Sequence, residues 1–215
     1  MTQPQPKPFL GCYMIVRNGE ATLDTLLNST DGVWDELVIV DTGSTDSTKA
    51  LIEKHFGITS QWDEEPVIVD NKGRTLRLIL TEFEWVDDFS VARQFSYDLG
   101  SAKWRFYLDA DDDASDFKND SLRKQVEQTD REHPEVNCLS IQYKYTVDGS
   151  MVQDKVGRGV RWDGGWKWTS PIHEHLVRTF GARNMAVYRD DKNPWMVRHQ
   201  HATKERVGNA FERNL

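Results

Sequence analysis

Trp104-Arg-Phe-Tyr-Leu-Asp-Ala-Asp-Asp-Asp113 decides the fold, because an apolar run stops there in a burst of negative charge. Trp104, Phe106, Tyr107 and Leu108 have strand character, and Asp109, Asp111, Asp112 and Asp113 follow within five residues. Carboxylates this close repel one another, so something must hold them. A divalent cation does so with hard oxygen ligands, and a solvated acidic turn does so by capping the next helix. The surrounding chain separates the two, since ligands of an open α/β sheet bind at the carboxyl ends of its strands.

Working back toward the N-terminus, Phe9 to Val16 is an apolar strand, Arg17 to Glu20 breaks it, and Leu23, Leu26 and Leu27 recur at helical spacing. Leu37 to Val40 is a second strand, ending in Asp41-Thr-Gly-Ser-Thr-Asp-Ser-Thr48. Ala50, Leu51, Ile52 and Phe56 then form a helix capped by Ser44 or Asp46. Two strand-helix units in about 50 residues predict a parallel sheet with crossover helices, which sets Asp41 and Asp109 on one edge. Val67 to Leu80 is expected to be a hairpin turning at Asn71 to Gly73, inserted as a flap. Asp87-Asp88-Phe-Ser90 opens a helix through Leu99, which carries Arg93 and delivers the chain to Trp104.

Beyond the aspartates, a helix over Leu122 to Gln128 and a strand over Val136 to Val147, turning at Asp148-Gly149, predict mixed sheet. Trp162-Asp-Gly-Gly-Trp-Lys-Trp-Thr-Ser-Pro171 has the composition of a movable or substrate-facing loop. Ile172-His-Glu-His-Leu176 follows, then a hairpin through Thr179 and Val187, a run ending at His201, and a closing helix over Thr203 to Leu215.

Composition narrows the partners. The chain has 215 residues, enough for one α/β domain, and its net charge of -8 argues against a broad surface for nucleic acid or anionic membrane. Cys12 and Cys138 each fall in an apparent strand, which suits buried thiols in the cytoplasm. No apolar run is long enough to span a bilayer. Residues 1–8 are expected to be a disordered arm ahead of a single domain over 9–215.

The ordered set Met14-Ile-Val-Arg-Asn18, Val38-Ile-Val-Asp-Thr-Gly-Ser-Thr-Asp46, Trp85-Val-Asp-Asp-Phe-Ser-Val-Ala-Arg93, Leu108-Asp-Ala-Asp111, Ile172-His-Glu174 and His199 resembles family 2 glycosyltransferases of the GT-A fold. The resemblance runs from about Phe9 to the last residue. It implies a Rossmann-like, mixed but mostly parallel sheet with flanking helices, a nucleotide-sugar-binding half over 9–113 and a β-hairpin acceptor-side half over 114–215.

The resemblance also implies roles. A nucleotide-sugar donor, UDP-linked for preference, would meet Val16, Arg17, Asn18, Asp41, Gly43, Ser44, Asp46, Arg93, Asp109, Ala110 and Asp111. Mn2+ or Mg2+ would be held by Asp111 with His199 or His201. Glu174 would be the base that deprotonates an acceptor hydroxyl, with His173 orienting it or the acceptor. Asp112, Asp113 and Asp163 are rival bases, and an ion pair with Asp87 or Asp88 is the rival role for Arg93. Two other functions stay open: a binding module of the same fold without turnover, and a nucleotidyltransferase, although no Gly-x-x-x-x-Gly-Lys-Ser/Thr loop supports the latter. The acceptor class (protein, glycan or glycolipid) and the oligomeric state are left open.

Overall fold

Strand β1 (Leu10–Val16) and strand β2 (Glu36–Asp41) are buried along their whole length, the pattern of parallel strands covered on both faces. The computed structural model describes residues 7–199 apart from 60–61, 64–65, 72, 118–120, 148–149, 180–185 and 189–195. The N-terminal arm, the Asp148-Gly149 turn, His201 and the Thr203–Leu215 helix therefore lie outside the described residues, wholly or nearly so.

In chain order the elements are β1, α1 (Leu23–Thr30), β2, α2 (Thr48–Phe56), β3 (Val67–Asn71), β4 (Arg74–Glu82), α3 (Phe89–Leu99), β5 (Trp104–Tyr107) and β6 (Asp112–Asp113). A short 3-10 turn (Ser115–Phe117) follows, then α4 (Ser121–Glu132), β7 (Val136–Val147), β8 (Ser150–Arg161), β9 (Trp166–Thr169), β10 (His175–Arg178), β11 (Ala186–Tyr188) and β12 (Met196–His199). The main sheet runs β3-β4-β2-β1-β5-β8-β7-β12-β6, with β11 beside β7. Strands β4, β2, β1 and β5 are parallel, while β3 and β8 join them antiparallel. The period of two divides β1 between two cores. Cys12, Met14 and Val16 pack with Leu23, Leu26, Trp34, Phe106 and Leu108, whereas Tyr13 and Ile15 pack with Val38, Val40, Ala92 and Tyr97.

Three expectations need correction. Residues 67–80 do turn back as a hairpin, yet β4 is no flap: it pairs with β2 from Glu36↔Arg77 to Asp41↔Glu82 and buries Leu76, Leu78 and Leu80. The strand at Val187 is not a hairpin partner of the Thr179 strand. It runs parallel beside β7, and β10 pairs instead with β9. The Trp-rich stretch is not an open loop, because Trp166 and Trp168 are the inward residues of β9 and are 4% and 2% exposed. Both belong to the second core, where the Trp168 indole sits against Tyr97 and Tyr107.

Candidate functional site

The parallel strands β1, β2 and β5 end on one edge, and the site is assembled there. Register pairs Val16 with Asp41 and Tyr13 with Tyr107, so Asp41 and the Asp109–Asp113 turn emerge on the same side. The loops after β1 and β2 are laced together. Asn18 N donates to Ser44 Oγ at 2.9 Å, Thr45 N to Asn18 Oδ1 at 2.8 Å, Gly19 N to Thr48 Oγ1 at 2.8 Å and Ser47 N to Glu20 Oε2 at 3.0 Å. Asp46 receives Thr48 N at 3.0 Å and Glu20 N at 3.2 Å, while the N-cap of α2 is Ser47, neither Ser44 nor Asp46, and its side chain makes no capping bond. Asn18, Ser44 and Asp46 thus spend their side chains on building the wall of the site.

Asp41 differs. It is 0% exposed, and its Oδ1 accepts Gly43 N at 2.9 Å and Ser44 N at 2.7 Å. Its Oδ2 is buried with no hydrogen-bond partner among the described residues, as is Arg17 Nε. A buried carboxylate oxygen without a donor is costly, and a ligand N–H would relieve it. Gly43 holds φ +102, which lets the chain turn sharply under that carboxylate.

The acidic turn is held by two arginines. Arg93, on α3, is 4% exposed and donates from Nη2 to Asp109 Oδ1 and from Nε to Glu174 Oε1 at 3.2 Å. Arg158, on β8, donates from Nη1 to Asp109 Oδ2 at 3.1 Å. Burial alone would raise the Asp109 carboxyl, but Arg158 and Arg93 outweigh it and hold the group well below the usual carboxylate range. Helix α3 begins where expected. Asp88 caps it by accepting Ser90 N and Val91 N, and Asp87 accepts Trp85 Nε1 at 2.8 Å, so neither is the partner of Arg93. Arg158 escaped the sequence reading, its sole cue being a charged residue flanked by Gly157 and Gly159 within a strand pattern.

The rival bases are hydrogen-bonded, as Glu174 is. Asp112 is fully buried and accepts Asp109 N at 2.8 Å and the Tyr143 hydroxyl at 2.9 Å. Asp113 accepts Ser115 N at 3.0 Å, and Asp163 is paired with Arg178. Glu174 is half-buried and joined to Asp109 through Arg93. His173 is exposed at φ +58, and its carbonyl lies 3.2 Å from His175 Nδ1.

A metal ion would find Asp111 half-buried on the turn, beside Ala110. Strand β12 pairs antiparallel with β6 so that His199 stands opposite Asp112, which brings its backbone to the same turn. No group of three or more metal-binding side chains gathers among the described residues. His201 lies outside the described residues.

The family model described as Glycosyl transferase family 2 matches residues 13–191. Among curated proteins, a TPR repeat-containing protein of Synechococcus elongatus is 28% identical over 161 residues, covering 75% of this chain and 34% of that protein. The SPbeta prophage-derived glycosyltransferase SunS of Bacillus subtilis is 24% identical over 193 residues, covering 87% and 40%. The chain thus spans between 34% and 40% of the length of these relatives. Among solved structures, S. aureus TarS 1-349 in complex with UDP-GlcNAc aligns at TM-score 0.53 and 15% identity over 91% of this chain and 60% of that one. Its complex with UDP aligns at 0.52 and 14% over 96% and 64%. At such identities the likeness is one of fold.

Proposed function

The chain belongs to glycosyl transferase family 2, and from that premise we propose that it moves a sugar, with inversion, from a nucleoside-diphosphate sugar to a hydroxyl of a protein, glycan or glycolipid. UDP is the preferred carrier. The observation that carries the reading is the unpartnered, buried Oδ2 of Asp41 on the same sheet edge as Asp109 and Asp111. It would accept the imide N–H of uracil, against the wall formed by Val16, Arg17, Asn18, Gly43, Ser44 and Asp46. Likeness to a fold whose solved example carries UDP-GlcNAc agrees with that choice.

Asp109 would face the ribose or the sugar, with Ala110 leaving room beside it and Arg93 acting on the donor through Asp109. Asp111, with His199 or His201, would hold Mn2+ or Mg2+, which supplies positive charge against the negative charge that builds on the departing diphosphate. Glu174 accepts the proton of the acceptor hydroxyl as that oxygen bonds to the anomeric carbon and the bond from that carbon to the diphosphate breaks. His173, which is exposed, would meet the acceptor or orient Glu174. Residues 9–113 then serve the donor and 114–215 the acceptor. Burial of Cys12 and Cys138 suits the cytoplasm, and among the described residues no helix is long and apolar enough to cross a membrane.

Calorimetric titration of UDP and GDP, with and without Mn2+, tests the site. UDP is expected to bind wild type only with the metal, and Asp111→Ala to abolish binding. Asp41→Ala should weaken UDP by about 10- to 150-fold, the worth of a hydrogen bond to a charged group. No binding of either nucleotide under any metal would sink the reading, and binding without sugar hydrolysis or transfer would make the chain a binding module.

A further inference from the structure

Arg158 is 5% exposed, and its guanidinium lies between two aromatic rings, 4.4 Å from the centroid of Tyr107 and 4.5 Å from that of Tyr143. One nitrogen, Nη1, is 3.1 Å from Asp109 Oδ2 and 3.5 Å from Asp112 Oδ2. A positive donor between carboxylate oxygens of two residues stands where a bridging cation would stand. Its placement is fixed by the neighbouring residue. Phe106 pairs with Gly159 across β5 and β8, and a Cβ on Gly159 would come within 2.4 Å of the Phe106 ring. Only glycine lets β8 come this close.

We infer that Arg158 is a resident counter-cation of the acidic turn: it fills the position between Asp109 and Asp112, confines a divalent ion to Asp111 and so makes the metal bind together with the nucleotide and weakly without it. The inference rests on the reading of Asp111 as a metal carboxylate. Asp112 is fully buried and Asp109 partly so, and each presents a carboxylate oxygen to the Arg158 guanidinium. A guanidinium is charged at every physiological pH and needs no supply of metal, so the turn is held by the chain's own residues. Both oxygens of Asp109 then accept from an arginine, one from each, and are not held open for a metal ion. The diphosphate must bring the ion's other ligands. Arg158 is in this sense a positioning residue, acting on the donor through Asp109.

The test is a Mn2+ titration of the full chain without nucleotide, following the paramagnetic resonance signal of the free aqua ion. Arg158→Met keeps the stem between the tyrosines and removes the charge, leaving two carboxylate oxygens converging on one point. It is expected to bind Mn2+ at least about tenfold more tightly than wild type, the scale of outer contacts to metal sites. Arg158→Lys, which keeps a positive charge there, should stay near wild type, and adding Asp109→Asn to Arg158→Met should erase the gain. A purely structural role would lower stability and leave Mn2+ affinity where it was. Equal or weaker Mn2+ binding by folded Arg158→Met overturns the inference. Should that variant lose its near-UV dichroism without metal, Mn2+ alone is expected to restore it, and failure to do so overturns the inference equally. The transferase reading is judged on another sample, wild type with UDP. A wild type that ignores UDP beside an Arg158→Met that takes up Mn2+ would remove the transferase and leave the counter-cation.

Discussion

Arg93→Met is expected to cost about 3–5 kcal/mol of stability, the usual price of breaking a buried ion pair from one side, and to lower the turnover of sugar transfer by about two orders of magnitude. The first effect follows from charge. Burial alone would pull the Arg93 guanidinium down, but Asp109 and Glu174 outweigh it and hold the group well above its ordinary range. Removing it leaves Asp109 with Arg158 alone and Glu174 with no cation among the described residues. The second effect follows from position. Arg93 ties the carboxylate proposed for the donor to the carboxylate proposed as base, through different nitrogens of one planar group, and rests 5.4 Å from the Tyr107 ring and 5.7 Å from the Trp168 ring. Methionine fills that space without holding either partner. Arg93→Lys should recover part of the stability and little of the turnover, because a single ammonium cannot reproduce the fork. Thermal denaturation reads the first quantity, and kcat against donor KM reads the second. A variant that loses donor KM while keeping kcat would show that Arg93 serves binding alone.

Much of this was legible in the chain, and the failures share a cause. Strands β1 and β2 announce themselves as apolar runs that stop at polar loops, and Asp88 marks the start of α3 because a cap is a local device. Asp41 and Asp109 fall on one edge by the logic of parallel strands, without any knowledge of their contacts. What local pattern cannot say is which neighbour a strand takes. Residues 74–82 alternate as an edge hairpin or an inner strand would, and only pairing with β2 makes β4 part of the core. The Trp166-Lys-Trp168 alternation was itself a strand signal, with Lys167 out and both indoles in, but the glycines before it suggested a loop. Arg158 was hidden for the same reason. Its meaning comes from Asp109 and Asp112, 49 and 46 residues earlier in the chain.

Strand β2 carries one buried carboxylate at each end, and the contrast between them yields the second large expectation. Glu36, where β2 begins, is fully buried like Asp41, where it ends, yet it lacks nothing. It accepts the Tyr13 hydroxyl, Ser101 N at 2.8 Å, Ser101 Oγ at 2.7 Å, Ala102 N at 2.9 Å and Arg77 Nη1 at 2.5 Å. Because Ser101 and Ala102 lead directly into β5, this knot fixes where β5 starts and hence where Asp109 emerges. Glu36→Ala strands all of these donors at once and is expected to cost about 3–5 kcal/mol, roughly 10 °C in Tm for a chain of this size. Acid should act through the same group. Burial alone would raise the Glu36 carboxyl, but hydrogen bonds from Tyr13, Ser101 and Ala102 outweigh it and hold the group below its ordinary value. A folded-state pKa below the unfolded one contributes stability that is complete above about pH 4.5 and is lost as pH falls through the folded value. Tm measured from pH 7 to pH 3 should therefore fall less steeply in Glu36→Gln than in wild type below pH 4.5, from a lower starting point. Equal slopes would assign the acid sensitivity to other carboxylates, with Asp109, similarly depressed by Arg158 and Arg93, the next to be tested.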